Sequence, residues 1–315
     1  MNLTSTVDDT RNGWDGFIGR YLVKLLLKMG EDVMLLVRNP KDLHVKFVVG
    51  DVADKRSLEK AFRDVDKVYH LAGIFRHGVS SRDIWLVNYN GTRNVADLCL
   101  KYDCELLHVS TVGVLGYANS KPLKENSQYN PNPNPYSISK AEAKKYVFKL
   151  CNEGLKAKVV RPAFVYGIGS DYGLNLLIEL VVNGRLRFVI GNGNNFIHPI
   201  HVKDLVRAMV FVMEKAEYCK VFNLANEKHV RLSEFLDIVA RYAGVRIHYG
   251  LPPKLVYVFL KFKGGIGGSS DKETIMLSTK NWFYSVEKIR ALGCKQEVDI
   301  EFGVREVVDW LKSRD

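Results

Sequence analysis

Cysteine is scarce and unordered in this chain. Five cysteines stand among 315 residues, at Cys99, Cys104, Cys151, Cys219 and Cys294, odd in number and with no CxxC pair. That gives no support to a disulfide framework or a thiolate zinc site, and points to free thiols in a reducing compartment. No apolar run reaches the roughly 18 residues that a membrane-spanning helix needs. Met1 to Gly16 is polar and lacks the apolar core of a signal peptide, so a cytoplasmic location is expected. Internal repeats and low-complexity linkers are missing as well. The formal charge is +11, but lysine and arginine are spread along the chain and no basic block interleaves with aromatics. A solvated basic surface is the reading, and no nucleic-acid partner is expected. His70, His108, His198 and His201 lack metal-ligand spacing; they are read as structural, and no metal is expected. Trp14, Trp85, Trp282 and Trp310 are read as packing residues.

What the chain does have is a regular alternation. Short apolar runs at Val33–Val37, Val45–Val49, Val68–Leu71, Leu106–Val109, Val159–Val160 and Val221–Leu224 read as buried strands. Helical patterns at Gly19–Met29, Lys55–Asp64, Ile84–Lys101 and Tyr136–Asn152 lie between them. Such alternation indicates βαβ units, hence an α/β fold with a doubly wound parallel sheet. Parallel strands are covered on both faces, which explains why the runs are continuously apolar. After about Tyr166 the regularity weakens. Helices are expected at Leu174–Val182, Val202–Lys215, Leu232–Tyr242 and Glu301–Lys312, and a loop at Gly264–Gly268.

Gly13-Trp14-Asp15-Gly16-Phe17-Ile18-Gly19 spaces three glycines by threes directly before an amphipathic helix. Such a turn lets the backbone approach a pyrophosphate, and the helix start supplies free N–H donors. A buried strand should precede it, yet Asp8-Asp9-Thr10-Arg11-Asn12 stands there. Two buried aspartates in a central strand would be costly. Either the strand is Leu3–Val7 followed by a longer loop, or the segment is irregular. The first is expected, because an empty central slot would expose two strand edges. At the end of the second strand, where an acidic residue would take the ribose hydroxyls of NAD, stand Arg38 and Asn39. A guanidinium suits a 2′-phosphate by charge and geometry, so NADP(H) is favoured over NAD(H).

Tyr136-Ser137-Ile138-Ser139-Lys140 puts a phenol and an ammonium at i and i+4 on one helix face. Lys140 is expected to lower the phenol's pKa, so that Tyr136 exchanges a proton near neutral pH. With these residues in view, the chain resembles the extended short-chain dehydrogenases/reductases of the NAD-dependent epimerase/dehydratase family, from about Gly13 to the C-terminus. Gly13, Gly16 and Gly19, with Phe17 and Ile18, match the family's nucleotide turn. Asp51 and Val52 match its adenine-contacting segment, and Leu71, Ala72 and Gly73 its segment along the cofactor. Asn88 matches the helix residue that steadies the active site. The resemblance makes Thr111, with Ser110 beside it, the hydroxyl that orients the substrate oxygen. Pro162 falls in the turn near the nicotinamide, and His201-Val202-Lys203-Asp204 in a later helix-starting motif. It implies a Rossmann domain from residues 1–167 and 192–226, and a smaller substrate-binding part from 168–191 and 227–315. It also implies hydride transfer between a nicotinamide and a carbon bearing a hydroxyl or ketone, with Tyr136, Lys140, Thr111 and Asn88 as the catalytic set. A homodimer is implied too, joined through the helices at Ile84–Lys101 and Tyr136–Asn152.

Three departures from the family pattern bear on substrate. Val112-Gly113 stands where nucleotide-sugar dehydratases resemble one another in carrying Asp-Glu, so an acid for elimination is missing. The stretch Gly191 to Pro199 offers amides and a phenylalanine, but not the arginine that pairs with a sugar diphosphate; Arg231 could substitute. Leu251–Lys263 and Leu277–Lys288 are apolar or aromatic with basic punctuation, like the dihydroflavonol-reductase and 3β-hydroxysteroid-dehydrogenase branch. A small, fairly apolar carbonyl compound is therefore the expected substrate. A UDP-sugar 4-epimerase is the alternative, and a non-catalytic NAD(P)-binding regulator a second. The Leu251–Lys263 segment could also touch a membrane surface, though a core helix is the preferred reading.

Overall fold

The continuous apolar runs become strands because each has a covered face on either side. A computed structural model describes residues 2–5, 16–39, 45–75, 78–252 and 275–314. The main sheet comprises β1 (Asn2–Ser5), β2 (Val33–Val37), β3 (Lys46–Val49), β4 (Lys67–His70), β5 (Glu105–Val109), β6 (Ala157–Pro162) and a last strand, Lys220–Leu224. Its order is Lys220–Leu224, β6, β5, β4, β1, β2, β3, and every neighbouring pair is parallel. The chain order reverses at β1, between β2 and β4. That crevice, at the carboxyl ends of the strands, is where doubly wound folds bind their ligands.

The disputed first strand occupies its slot. Residues 2–5 pair with Val33–Leu36 on one side and Lys67–His70 on the other. The strand begins one residue earlier than the expected Leu3, and residues 6–15, with Gly13 and Trp14, lie outside the described residues. β3 corrects another expectation. It was read as buried, but it is the outermost strand, with Phe47 43% and Val49 54% exposed. Among the described residues one strand pairs with it, whereas all five residues of β2 are buried.

Helices cover both faces. On one side Leu22 and Leu26 of the Phe17–Lys28 helix pack with Met209 and Met213 of the Val202–Lys215 helix. On the other, Leu98 and Val147 pack with Val68 and Leu106. Each such fully buried side chain contributes roughly 1.5–3 kcal/mol of transfer free energy. A third cluster, centred on Phe235, Ile178, Val304 and Val308, unites the Leu174–Val182, Leu232–Ala243 and Ile300–Lys312 helices with Tyr166. Three short strand pairs escaped the sequence reading. Phe164–Tyr166 lies against Pro199–His201, Phe196–Ile197 against Val230–Arg231, and Phe188–Ile190 against His248–Leu251. Two to four residues are too few to display a period.

The long helix expected over Ile84–Lys101 is interrupted. It runs as Ser81–Trp85, a π-helical stretch Leu86–Gly91, and Thr92–Lys101. Among the described residues no helix is long and apolar enough to cross a membrane. Residues 253–274, which hold most of the Leu251–Lys263 segment and the glycine loop, lie outside the described residues.

Candidate active site

The helix that returns from β1 to β2 starts at the crevice. Its N-cap, Gly16, offers no side-chain cap, and no acidic residue stands in its first turn. The first N–H groups of a helix lack intrahelical acceptors, so this end favours an anion. Phe17 and Gly19 are buried there and Ile18 is half-buried. Arg20 Nη2 donates to Gly169 O at 3.0 Å and the Tyr21 hydroxyl to Ile168 O at 3.0 Å. These bonds hold the loop after β6, which follows Pro162, against the helix. Arg38 is half-buried directly after β2. Asp51 accepts from Ala53 N–H at 2.9 Å, and its own N–H donates to Ser57 Oγ at 2.9 Å. Val52 is fully buried, and a Cβ on Gly91 would come within 2.8 Å of it.

Tyr136 and Lys140 lie in the first turns of the Pro135–Cys151 helix. Asn134 starts that helix: its side chain accepts from Ser137 N–H at 2.7 Å, with Pro135 following. One turn in, Lys140 is buried, and Nζ donates to Val109 O at 2.9 Å and to Ala72 O at 3.3 Å. The lysine thus bridges the ends of β5 and β4. Gly73 lies beside it: a Cβ there would stand 3.0 Å from Nζ, so any side chain would press on the ammonium. Asn88 sits in the π-helical stretch, a feature frequent at functional sites. Its Oδ1 accepts from Ile74 N–H at 2.7 Å; its Nδ2 donates to Ile74 O and to Ser139 Oγ, both at 3.2 Å. The chain after β4 and the Tyr136–Lys140 helix are thereby joined through one side chain. Thr111 accepts from Gly113 N–H at 3.1 Å and is hydrogen-bonded to the Tyr136 hydroxyl. Among the described residues, Ser110 Oγ is buried without a hydrogen-bond partner.

These features fit a dinucleotide. The uncapped helix start suits its phosphates; the ammonium beside the side-chain-free Gly73, and the Ser110 hydroxyl, which has no partner among the described residues, offer polar contacts on the same side of the sheet.

Burial sets the proton affinities. It pushes Lys140 down to about 8. It pushes Tyr136 up to about 12, against a smaller downward pull from the Thr111 bond. The expectation that Lys140 lowers the phenol's pKa therefore fails for this state of the protein. The ammonium is turned onto the carbonyls of Ala72 and Val109, and desolvation of the phenolate dominates. Behind Lys140, His70 and His108 face each other in register with rings stacked at 5.6 Å. Burial and the lysine's charge push His70 down to about 3 and His108 well down, so both stay neutral.

Two features were missed in the sequence. Ser139 closes the Asn88 contact, and its place inside the Tyr136–Lys140 motif was the available signal. Phe75 lays its ring 4.7 Å from that of Tyr136 and is 44% exposed. It also meets Tyr172 at 6.0 Å, which in turn meets Phe17 at 6.2 Å. Two residues beyond Gly73, Phe75 could have been flagged by position. Further along, Trp282 packs edge-on against Tyr117 and Phe164. This wall is tied to the stretch after Thr111, since Ala118 N–H donates to Asn281 O at 2.7 Å and the Tyr284 hydroxyl to Gly116 O at 3.0 Å. Arg231 lies over the Phe196 ring at 5.5 Å, donates to Asn194 O at 3.3 Å and stands 3.9 Å from Glu234.

The family model described as "NAD dependent epimerase/dehydratase family" matches residues 12–225. Short-chain dehydrogenase/reductase family 42E member 1 of Danio rerio is 31% identical, over 96% of this chain and 87% of that protein. The 3beta-hydroxysteroid-dehydrogenase/decarboxylase isoform 1 of Arabidopsis thaliana is 24% identical, over 94% of this chain and 78% of that protein. The Thermus thermophilus UDP-glucose 4-epimerase, solved in complex with NAD, superposes with a TM-score of 0.78 at 24% identity, covering 99% of both chains. At that identity the likeness speaks for the fold alone.

Proposed function

This chain belongs to the NAD-dependent epimerase/dehydratase family, and we propose that within it the protein reduces a small, fairly apolar ketone, or oxidises the matching secondary alcohol. The bound nicotinamide supplies or takes the hydride. Tyr136 gives the carbonyl oxygen its proton in reduction and takes it back in oxidation. Thr111 hydrogen-bonds the same oxygen and holds it toward Tyr136. Lys140, held by the carbonyls of Ala72 and Val109, would hold the ribose end of the cofactor beside Tyr136. Asn88 keeps the strand ends and the Tyr136 helix in register.

One observation carries the choice of substrate class. The Phe75 ring sits on the Tyr136 ring while nearly half exposed, so the approach to the proton donor is apolar. The missing acid after Thr111 argues against elimination chemistry. The UDP-sugar 4-epimerase reading is kept alive by Arg231, whose guanidinium could pair with a diphosphate. It already holds Asn194 O and stands near Glu234, which favours a positioning role instead. Arg231→Ala separates the two readings. With apolar ketones, kcat/KM should stay near wild type. A diphosphate sugar would lose charge-assisted hydrogen bonds worth about 1.5–3 kcal/mol. UDP-sugar epimerisation that collapses in Arg231→Ala would install the epimerase.

For the cofactor, NADP(H) is our preferred reading, supported by Arg38 directly after β2. The Arg38→Asp variant should shift the ratio of kcat/KM values toward NAD(H). A wild-type preference for NAD(H), unchanged by the substitution, would mean that Arg38 reads no phosphate.

A further inference from the structure

Two of the five cysteines meet. Cys151 ends the Pro135–Cys151 helix, and Cys219 stands directly before the Lys220–Leu224 strand. The Cys151 thiol lies beside Cys219 and the main chain of Ala157. Cys219 closes on the same place from the other side. Its N–H donates to Ala157 O at 2.5 Å and its thiol to Leu155 O at 3.7 Å. Both residues are half-buried, whereas Cys99 and Cys104 are sealed in the core. Cys219 also has a φ of 59°, in the left-handed region. A non-glycine residue there is strained, and such strain tends to mark functional positions. A side chain is thus held where glycine would be relaxed, and that side chain is a thiol beside a second thiol.

We infer that Cys151 and Cys219 form a reversible dithiol–disulfide site that reacts with a small-molecule disulfide and locks the far end of the Tyr136–Lys140 helix to the outermost strand of the sheet beside β6. Lys144 favours negative charge at the pair from the helix side. In the first step the Cys219 sulfur attacks one sulfur of the reagent, forms a mixed disulfide and releases one thiolate. In the second, the Cys151 sulfur attacks Cys219 and releases the other. Two protein thiols are oxidised, one disulfide is reduced to two thiols, and both protons leave with them. Burial and the bond to Cys219 push Cys151 up to about 12, so the second step is the slow one.

The test uses the folded, full-length protein incubated with oxidised glutathione, followed by intact mass and non-reducing peptide mapping. Wild type should lose two hydrogens in mass, yield a Cys151–Cys219 cross-linked peptide, and show a Tm that rises on oxidation and falls back with reductant. Cys151→Ser should accumulate glutathione on Cys219, because nothing resolves the mixed disulfide. Cys219→Ser should form no cross-link. Absence of the Cys151–Cys219 peptide in the folded wild type would overturn the proposal. So would its formation only after denaturant is added, since that would make it a product of the unfolded chain.

Discussion

Tyr136→Phe is expected to lower kcat by about 10²–10⁴-fold, the usual worth of a positioned general acid or base. The ring is retained, so its packing on Phe75 should survive. What disappears is the hydroxyl and its bond to Thr111, worth about 0.5–1.5 kcal/mol to folding. Tm should therefore move little, and cofactor affinity, measured by fluorescence titration, should stay close to wild type. The sign of the pH dependence follows from the phenol's position. With a pKa pushed up to about 12, Tyr136 is protonated throughout the neutral range and competent as a donor. Oxidation of an alcohol needs the phenolate, so its rate should climb with pH while reduction does not. A Tyr136→Phe enzyme that reduces ketones at the wild-type rate would defeat the mechanism outright.

The second large effect is expected at Lys140. Lys140→Met keeps the length of the side chain and removes its charge. Loss of one preorganised electrostatic contact in a dry site typically costs about 10²–10³-fold in kcat. Cofactor affinity should fall as well, which distinguishes this variant from Tyr136→Phe. Stability is pulled both ways. The carbonyls of Ala72 and Val109 lose their donor, but a buried ammonium that burial has pushed down to about 8 is replaced by an apolar group. Tm should accordingly change far less than kcat. In the wild type, Lys140 is charged below about pH 8 and neutral above it, so kcat/KM for reduction should decline as pH rises through that value. This limb should be absent from the profile of Lys140→Met. A profile that keeps the limb, or a kcat within a few-fold of wild type, would remove Lys140 from the chemistry.

Much of this protein was legible in its residues. The runs at Val33–Val37 and Leu106–Val109 are apolar without alternation, and only a strand covered on both faces calls for that. The parallel sheet followed from them, and the glycines spaced before an amphipathic helix pointed to the crevice as the place to look for a nucleotide. The i, i+4 phenol and ammonium of Tyr136 and Lys140 needed nothing beyond the pitch of a helix. Local signals of this kind depend on neighbours in sequence, so they survive without coordinates.

Other features depend on what lies across space, and only the folded chain decided them. The run at Val45–Val49 looks as buried as its neighbours, yet it forms an edge, because strand order is a property of the sheet and not of the strand. Tyr136 was expected to titrate low beside a lysine four residues away. Instead the ammonium faces two main-chain carbonyls, one at the end of β5 and one just after β4, and desolvation raises the phenol. Phe75 and Ser139 joined the site only when the chain after β4 came against the Tyr136 helix. Cys151 and Cys219 look unrelated in sequence and become neighbours because parallel pairing sets the last strand beside β6. Periodicity carries the local geometry of an element; desolvation, charge pairing and contact between distant elements exist only after the elements have packed.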